Sequence, residues 1–252
     1  MKYAIEQIHL IAQYLSAAGI CFLDKKEDDS HTNLGWDAEN KRLATHPFGT
    51  GNHQVGLNLA SLKLEWLNNG EATSTIDFQS TTHSEILNWF KMQVEKHSIG
   101  AAYQYDFHYE LPYPSISEND TFIIDPTNSL KFAEELSTAQ TSFETFLSEN
   151  DLKSPIRVWP HHFDLGIYTQ LDSSGSVFLA AGLAVADTLV DGLYYYAAGY
   201  KDGEEIVTES FSGLDKGDWR SNWNGATLAS EGISVEVSKH FLNQTRETFI
   251  KK

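Results

Sequence analysis

The chain has one cysteine, Cys21, in 252 residues. A lone thiol excludes an intramolecular disulfide framework and a thiolate zinc cage, and it fits a reducing compartment. Cys21 follows an apolar helical stretch and reads as a small buried hydrophobe. Basic charge is also scarce: 18 Lys and Arg against 35 Asp and Glu leave a formal net charge of −17. The basic pairs Lys25-Lys26, Lys41-Arg42 and Lys251-Lys252 are too few to reverse that field locally. A nucleic-acid or anionic-membrane partner is therefore not expected. With six prolines and no low-complexity tract, no long linker is expected either. The longest apolar run, Val177 to Ala186, ends at Asp187 after ten residues. That is about half of what spanning a bilayer needs. Glu6, Gln7 and His9 interrupt the region where a secretory leader would be apolar, so the cytoplasm is the expected location.

Hydrophobic residues make up 41% and charged residues 21%, enough for a packed core. The aromatic share of 12% supplies core and cleft walls alike. No composition break divides residues 1 to 252, so a single domain is expected.

Ala4, Ile8, Ile11, Leu15 and Ala18 recur at helical spacing and predict a helix over 3–18, stopped by Gly19. Strands are expected over 42–48, 53–67 and 73–79, with Asn69-Gly70 as a hairpin turn. Thr82-His83-Ser84-Glu85 has capping-box spacing and opens a helix carrying Ile86, Leu87, Phe90 and Val94. Residues 101–111 alternate, with Tyr103, Tyr105, Phe107, Tyr109 and Leu111 opposed to Gln104, Asp106, His108 and Glu110; the pattern predicts a strand. Helices over 129–148 and 235–250 flank extended stretches at 155–168, 177–184 and 193–200, and 219–232 reads as irregular. Runs of strands with three to four helices around them predict an α+β fold rich in antiparallel sheet. His53-Gln54-Val55-Gly56-Leu57 faintly echoes His162-Phe163-Asp164-Leu165-Gly166, too weakly to define a repeat.

The least ordinary stretch is Trp159-Pro160-His161-His162-Phe163-Asp164. On an extended chain His162 and Asp164 would share one face. Such a pair suits metal ligation through nitrogen and oxygen, or a base-and-orienter pair in which the carboxylate holds the imidazole. It equally suits a structural turn in which Asp164 bonds backbone and His161 packs among Trp159, Phe163 and Leu165. His46 and His53 bracket Pro47-Phe48-Gly49-Thr50-Gly51-Asn52, a turn able to bring two imidazoles within metal-bridging distance. Their bland alternative is a hairpin with solvent-facing histidines. Asp106, His108 and Glu110 recur at about 6.8 Å along one strand face, a pattern that any half-exposed strand also shows. Tyr194-Tyr195-Tyr196 offers hydroxyls to a ligand, and Trp219 and Trp223 offer indoles for a lid or stacking wall; core and cover are the plainer uses. No Gly-x-Ser-x-Gly elbow, dinucleotide fingerprint or His-Glu-x-x-His occurs, which removes support from the commonest hydrolase, nucleotide-binding and zinc-protease classes.

From Ser154-Pro155-Ile156-Arg157-Val158-Trp159-Pro160-His161-His162-Phe163-Asp164 onward, through Gly182-Leu183-Ala184 and Gly192-Leu193-Tyr194-Tyr195-Tyr196, about a hundred residues resemble a family of uncharacterised bacterial proteins. That family is a domain of unknown function with a Trp-Pro-His-His-Phe-Asp signature. The loop Asp187-Thr188-Leu189-Val190-Asp191 departs from the Pro-Gly-Asp turn expected there. The resemblance implies a shared fold and site without a chemistry. The leading expectation is a small molecule or divalent metal held by Trp159, His161, His162, Asp164, Tyr195 and Trp223, with His46, His53 or His108 as further metal ligands. The alternatives are a hydrolase using His162 with Asp164, and a non-catalytic interaction module.

Overall fold

A computed structural model describes all residues, 1–252. It is an α+β protein with four helices and two antiparallel sheets of five and seven strands. The chain groups into two compact units. The first holds Met1–Glu134 and Val158–His161; the second holds Glu135–Arg157 and His162–Lys252.

The first unit is built around helix α1 (Lys2–Phe22), four residues longer at its C-terminal end than its apolar spacing predicts. Ile8, Ile11, Tyr14, Leu15, Ala17 and Ala18 are fully buried on it, and so are Gln13 and Ser16. Each buried Ile or Leu contributes about 2 kcal/mol relative to exposure. A five-stranded meander, β1 (Gly35–Asp37), β2 (Arg42–Ala44), β3 (His53–Asn58), β4 (Lys63–Asn68) and β5 (Glu71–Asp77), runs in sequence order. The stretch expected as one strand over 53–67 is a hairpin, broken where Leu62 takes a φ of 55°. The Asn69-Gly70 turn forms as expected, with φ of 48° and 85°; two consecutive left-handed residues match the twist of the flanking strands.

Helix α2 (His83–Lys96) carries the full capping box: Thr82 accepts from the Glu85 backbone N–H, and Glu85 reaches back to the Thr82 N–H. The His83 and Ser84 N–H groups donate to Asp120 O and Glu118 O, at 2.9 and 3.0 Å, which pins the start of α2 to the segment before α3.

Residues 101–111 do not form a strand. The alternation survives as side-chain burial, odd positions covered and even ones exposed from 103 to 110, with no ladder partner. The odd side chains lie against α1 and α2 instead. Tyr103 stacks on Phe90 at 4.0 Å and donates to Tyr14 O, while the Tyr109 hydroxyl donates to Gln13 Oε1 at 2.7 Å. Period-two patterning reports an extended chain with one covered face, and a helix covers it as well as a sheet does.

Helix α3 (Pro126–Glu149) begins in the first unit and continues into the second. The chain crosses back within the short strand β6 (Arg157–Trp159), where Val158 and Leu34 exchange backbone hydrogen bonds of 2.8 and 2.9 Å. The other six strands of the larger sheet belong to the second unit: β7 (Asp164–Gln170), β8 (Val177–Ala184), β9 (Tyr194–Lys201), β10 (Glu204–Glu205), β11 (Asp218–Trp219) and β12 (Ala226–Ala229). Their order is β11-β12-β9-β8-β7, with β10 on β9. The stretch expected as irregular thus contributes β12, which pairs along β9 from Tyr194 to Ala197. Helix α4 (Val235–Ile250) follows a Ser234 cap and buries Phe241, Leu242, Thr245 and Phe249.

Both sheets share one device. Gly56 on β3 lies opposite Glu65 on β4, and the Arg42 guanidinium crosses it from β2 to Glu65 at 3.2 Å. Gly182 on β8 lies opposite Tyr196 on β9, whose hydroxyl crosses it to Asp164 on β7 at 2.5 Å. A Cβ on Gly56 would sit 2.8 Å from Arg42 Cδ, and one on Gly182 would sit 2.6 Å from the Tyr196 ring. The likeness between the halves therefore matches β3 with β8, whereas the sequence echo set β3 against the start of β7.

Candidate functional site

The signature segment is divided between the two units. Residues 160–163 form a turn and Phe163 takes a φ of 57°, so the extended geometry that would align His162 with Asp164 is absent. In the second unit Asp164 is buried and accepts the Tyr196 hydroxyl. Burial pushes its carboxyl above the ordinary range, the Tyr196 hydrogen bond and the His162 charge opposing that shift in turn. Burial and the neighbouring carboxylate push the Tyr196 hydroxyl well up, so it remains a donor. Trp223 stands edge-on to Tyr196, ring centres 6.3 Å apart. Tyr195, expected from the sequence to touch a ligand, points to the opposite side of β9, fully buried against Phe143, where no solvent-borne ligand reaches it.

Among the metal candidates of the first unit, His46 Nε2 lies 2.8 Å from Asn33 Oδ1 and 3.1 Å from Ser30 O. His53 Nδ1 accepts from the Trp66 indole at 3.3 Å, and its ring faces His97 at 4.7 Å rather than His46. His108 pairs on the surface with Asp29 at 2.9 Å. Nowhere do three His, Cys, Asp or Glu side chains come together to hold a metal ion. The five residues expected as ligands, His46, His53, His108, His162 and Asp164, do not assemble, because each histidine of the first unit is taken up by its own local partner.

The first unit holds a different constellation. A cleft of about 620 Å³ is lined by His83, Leu10 and the aromatic run from Tyr105 to Tyr113. Behind it the wholly buried Tyr14 hydroxyl lies 2.5 Å from His83 Nδ1. Burial pushes the Tyr14 phenol upward and the His83 imidazole downward, so both are neutral. Tyr14 has a single hydroxyl proton, and His83 offers its only bonded acceptor; the phenol donates, Nδ1 accepts, and the ring proton sits on Nε2. A neutral imidazole is thereby presented to the cleft as an oriented donor.

The wall is anchored by Gln13, whose Nε2 donates to His9 O and Pro160 O and whose Oε1 accepts from Tyr109. His9 Nε2 also meets Pro160 O, at 2.6 Å. Burial pushes the Tyr109 hydroxyl up to about 12. The first half of the signature belongs here: the His161 ring lies 5.8 Å from Tyr109 and 6.1 Å from Trp159. His83, Tyr14 and His9 were not singled out from the sequence, since capping-box and helix periodicities account for those positions without any site.

The fold and cleft define an α+β chain of two sheet units with an aromatic cleft on the first. No protein-family model, curated protein or solved structure matches the chain.

Proposed function

We propose that the protein binds a small organic molecule in the aromatic cleft of its first unit, with His83 as the polar anchor. The observation that carries this reading is the Tyr14–His83 hydrogen bond, which fixes one imidazole tautomer at the edge of a 620 Å³ cleft. The lining mixes aromatic rings with polar groups, and a preorganised donor lowers the entropic cost of binding. Trp159 and His161 support the wall through Tyr109. The Asp164–Tyr196 pair acts as a buried latch in the second unit, its hydroxyl already given to the carboxylate.

Protein-observed NMR with the tyrosine resonances assigned, titrated with a fragment library, tests the reading. Binding fragments should perturb Tyr105 and Tyr113 and should weaken in His83→Ala. A library without hits, or hits indifferent to His83 and remote from these tyrosines, removes the proposal.

A further inference from the structure

The chemistry of the cleft walls narrows the ligand class, and this step rests on the reading above. Tyr105, Phe107, Tyr109 and Tyr113 line the cleft together with two carboxylates, Asp106 and Glu110, and no Lys or Arg lines it. The rings form one contiguous wall: Tyr105 meets Phe107 at 4.8 Å, and Phe107 meets Tyr109 at 5.4 Å. The hydroxyl of Tyr109 is turned away from the cleft toward Gln13 on α1, which leaves its ring as wall. Aromatic faces carry negative quadrupole charge and attract a cation within about 6 Å of their centres. Two nearby carboxylates and a chain of net charge −17 add to that potential. The neutral His83, held as an Nε2–H donor, adds no opposing charge and offers a hydrogen bond to an oxygen.

We infer that the cleft takes an organic ammonium ion carrying a hydroxyl or similar acceptor: the cationic head against the aromatic wall, drawn by the field of Asp106 and Glu110 on the other side of the same stretch, the oxygen on His83 Nε2. A neutral ligand of the same shape would use the walls but forgo the charge. An anion would meet two carboxylates and find no basic side chain.

Isothermal titration of the full chain with choline, and with 3,3-dimethyl-1-butanol as its uncharged twin, separates these cases. Choline should bind about tenfold tighter than the twin. The preference should fall toward unity in Asp106→Asn with Glu110→Gln, both at exposed positions, Asn keeping the oxygen that accepts the Phe107 N–H. Phe107→Leu, checked by circular dichroism for intact folding, should weaken choline more than the twin. Equal affinities overturn the ammonium assignment while leaving a small-molecule cleft standing. Silence from both probes alongside neutral fragment hits in the cleft does the same. Silence from both probes and from the fragment library removes the ammonium assignment and the cleft proposal together.

Discussion

The Tyr196 hydroxyl reaches over Gly182 to donate a 2.5 Å hydrogen bond to the buried Asp164 carboxylate. Three neighbouring strands are tied by this one side-chain bridge. The interior supplies little water to replace the donor, so the carboxylate depends on it.

Removing the donor should therefore be expensive. Tyr196→Phe leaves Asp164 short of a hydrogen bond and should destabilise the chain by about 1–3 kcal/mol in urea titration at neutral pH. Asp164→Asn keeps an acceptor for Tyr196 and removes the buried charge. The sign of its pH dependence follows from the raised carboxyl of Asp164. The native state holds the proton more tightly than the unfolded chain. The stability this lends is fully present below the ordinary value of 3.8 and is lost as pH rises through the native value. Asp164→Asn should accordingly gain on the wild type as pH rises above about 4. Parallel urea curves at pH 4 and pH 7 check this; a difference independent of pH would contradict it.

The two glycines beneath the polar bridges should respond unequally to Ala. At Gly182 the added Cβ meets the Tyr196 ring at 2.6 Å, and that ring is held by its bond to Asp164. At Gly56 it meets Arg42 Cδ at 2.8 Å, partway along a flexible stem. Gly182→Ala should cost about 2–3 kcal/mol and Gly56→Ala less, about 1 kcal/mol, by thermal or urea unfolding. The reverse order would mean that the guanidinium bridge is the stiffer of the two.

Which parts of this were legible in the sequence follows from where the causes lie. The α2 capping box, the Asn69-Gly70 turn and strand β8 follow from local chemistry, and local chemistry is written in adjacent residues. The Tyr103–Leu111 alternation reports a covered face, and period two does not say whether a strand or a helix does the covering. The extended geometry expected for the signature histidines is broken by the left-handed Phe163. Tyr14 and His83 stand 69 residues apart, and no spacing rule links them. Gly56 with Gly182 was equally hidden, since its meaning lies in side chains arriving from the strands on either side.

The Tyr14–His83 bond invites a double-mutant cycle. His83→Ala strands a fully buried phenol proton and should cost about 1–3 kcal/mol. Tyr14→Phe removes the donor and frees Nδ1, with a smaller loss. The double variant should be more stable than the sum of the singles predicts, by about 1 kcal/mol. Strict additivity of the three unfolding free energies would show that the contact contributes nothing.

Falling pH should destabilise the chain through His31, His83 and His97. Burial lowers His31, His83 and His97 below the ordinary 6.5, in each case as the largest effect. For His97 the neighbouring His53 charge pushes the same way, the two rings lying 4.7 Å apart. The native state thus favours the neutral rings, and the unfolded chain takes up protons first as pH falls. Stability from these groups is fully present above 6.5 and is lost as pH drops from there through the lowered native values. Urea midpoints measured between pH 7.5 and 5 should fall, with little change in slope. His97→Gln, at a partly exposed position, should flatten that fall without abolishing it. Midpoints that hold steady down to pH 5 would show that these imidazoles take up protons as readily in the native state as in the unfolded chain.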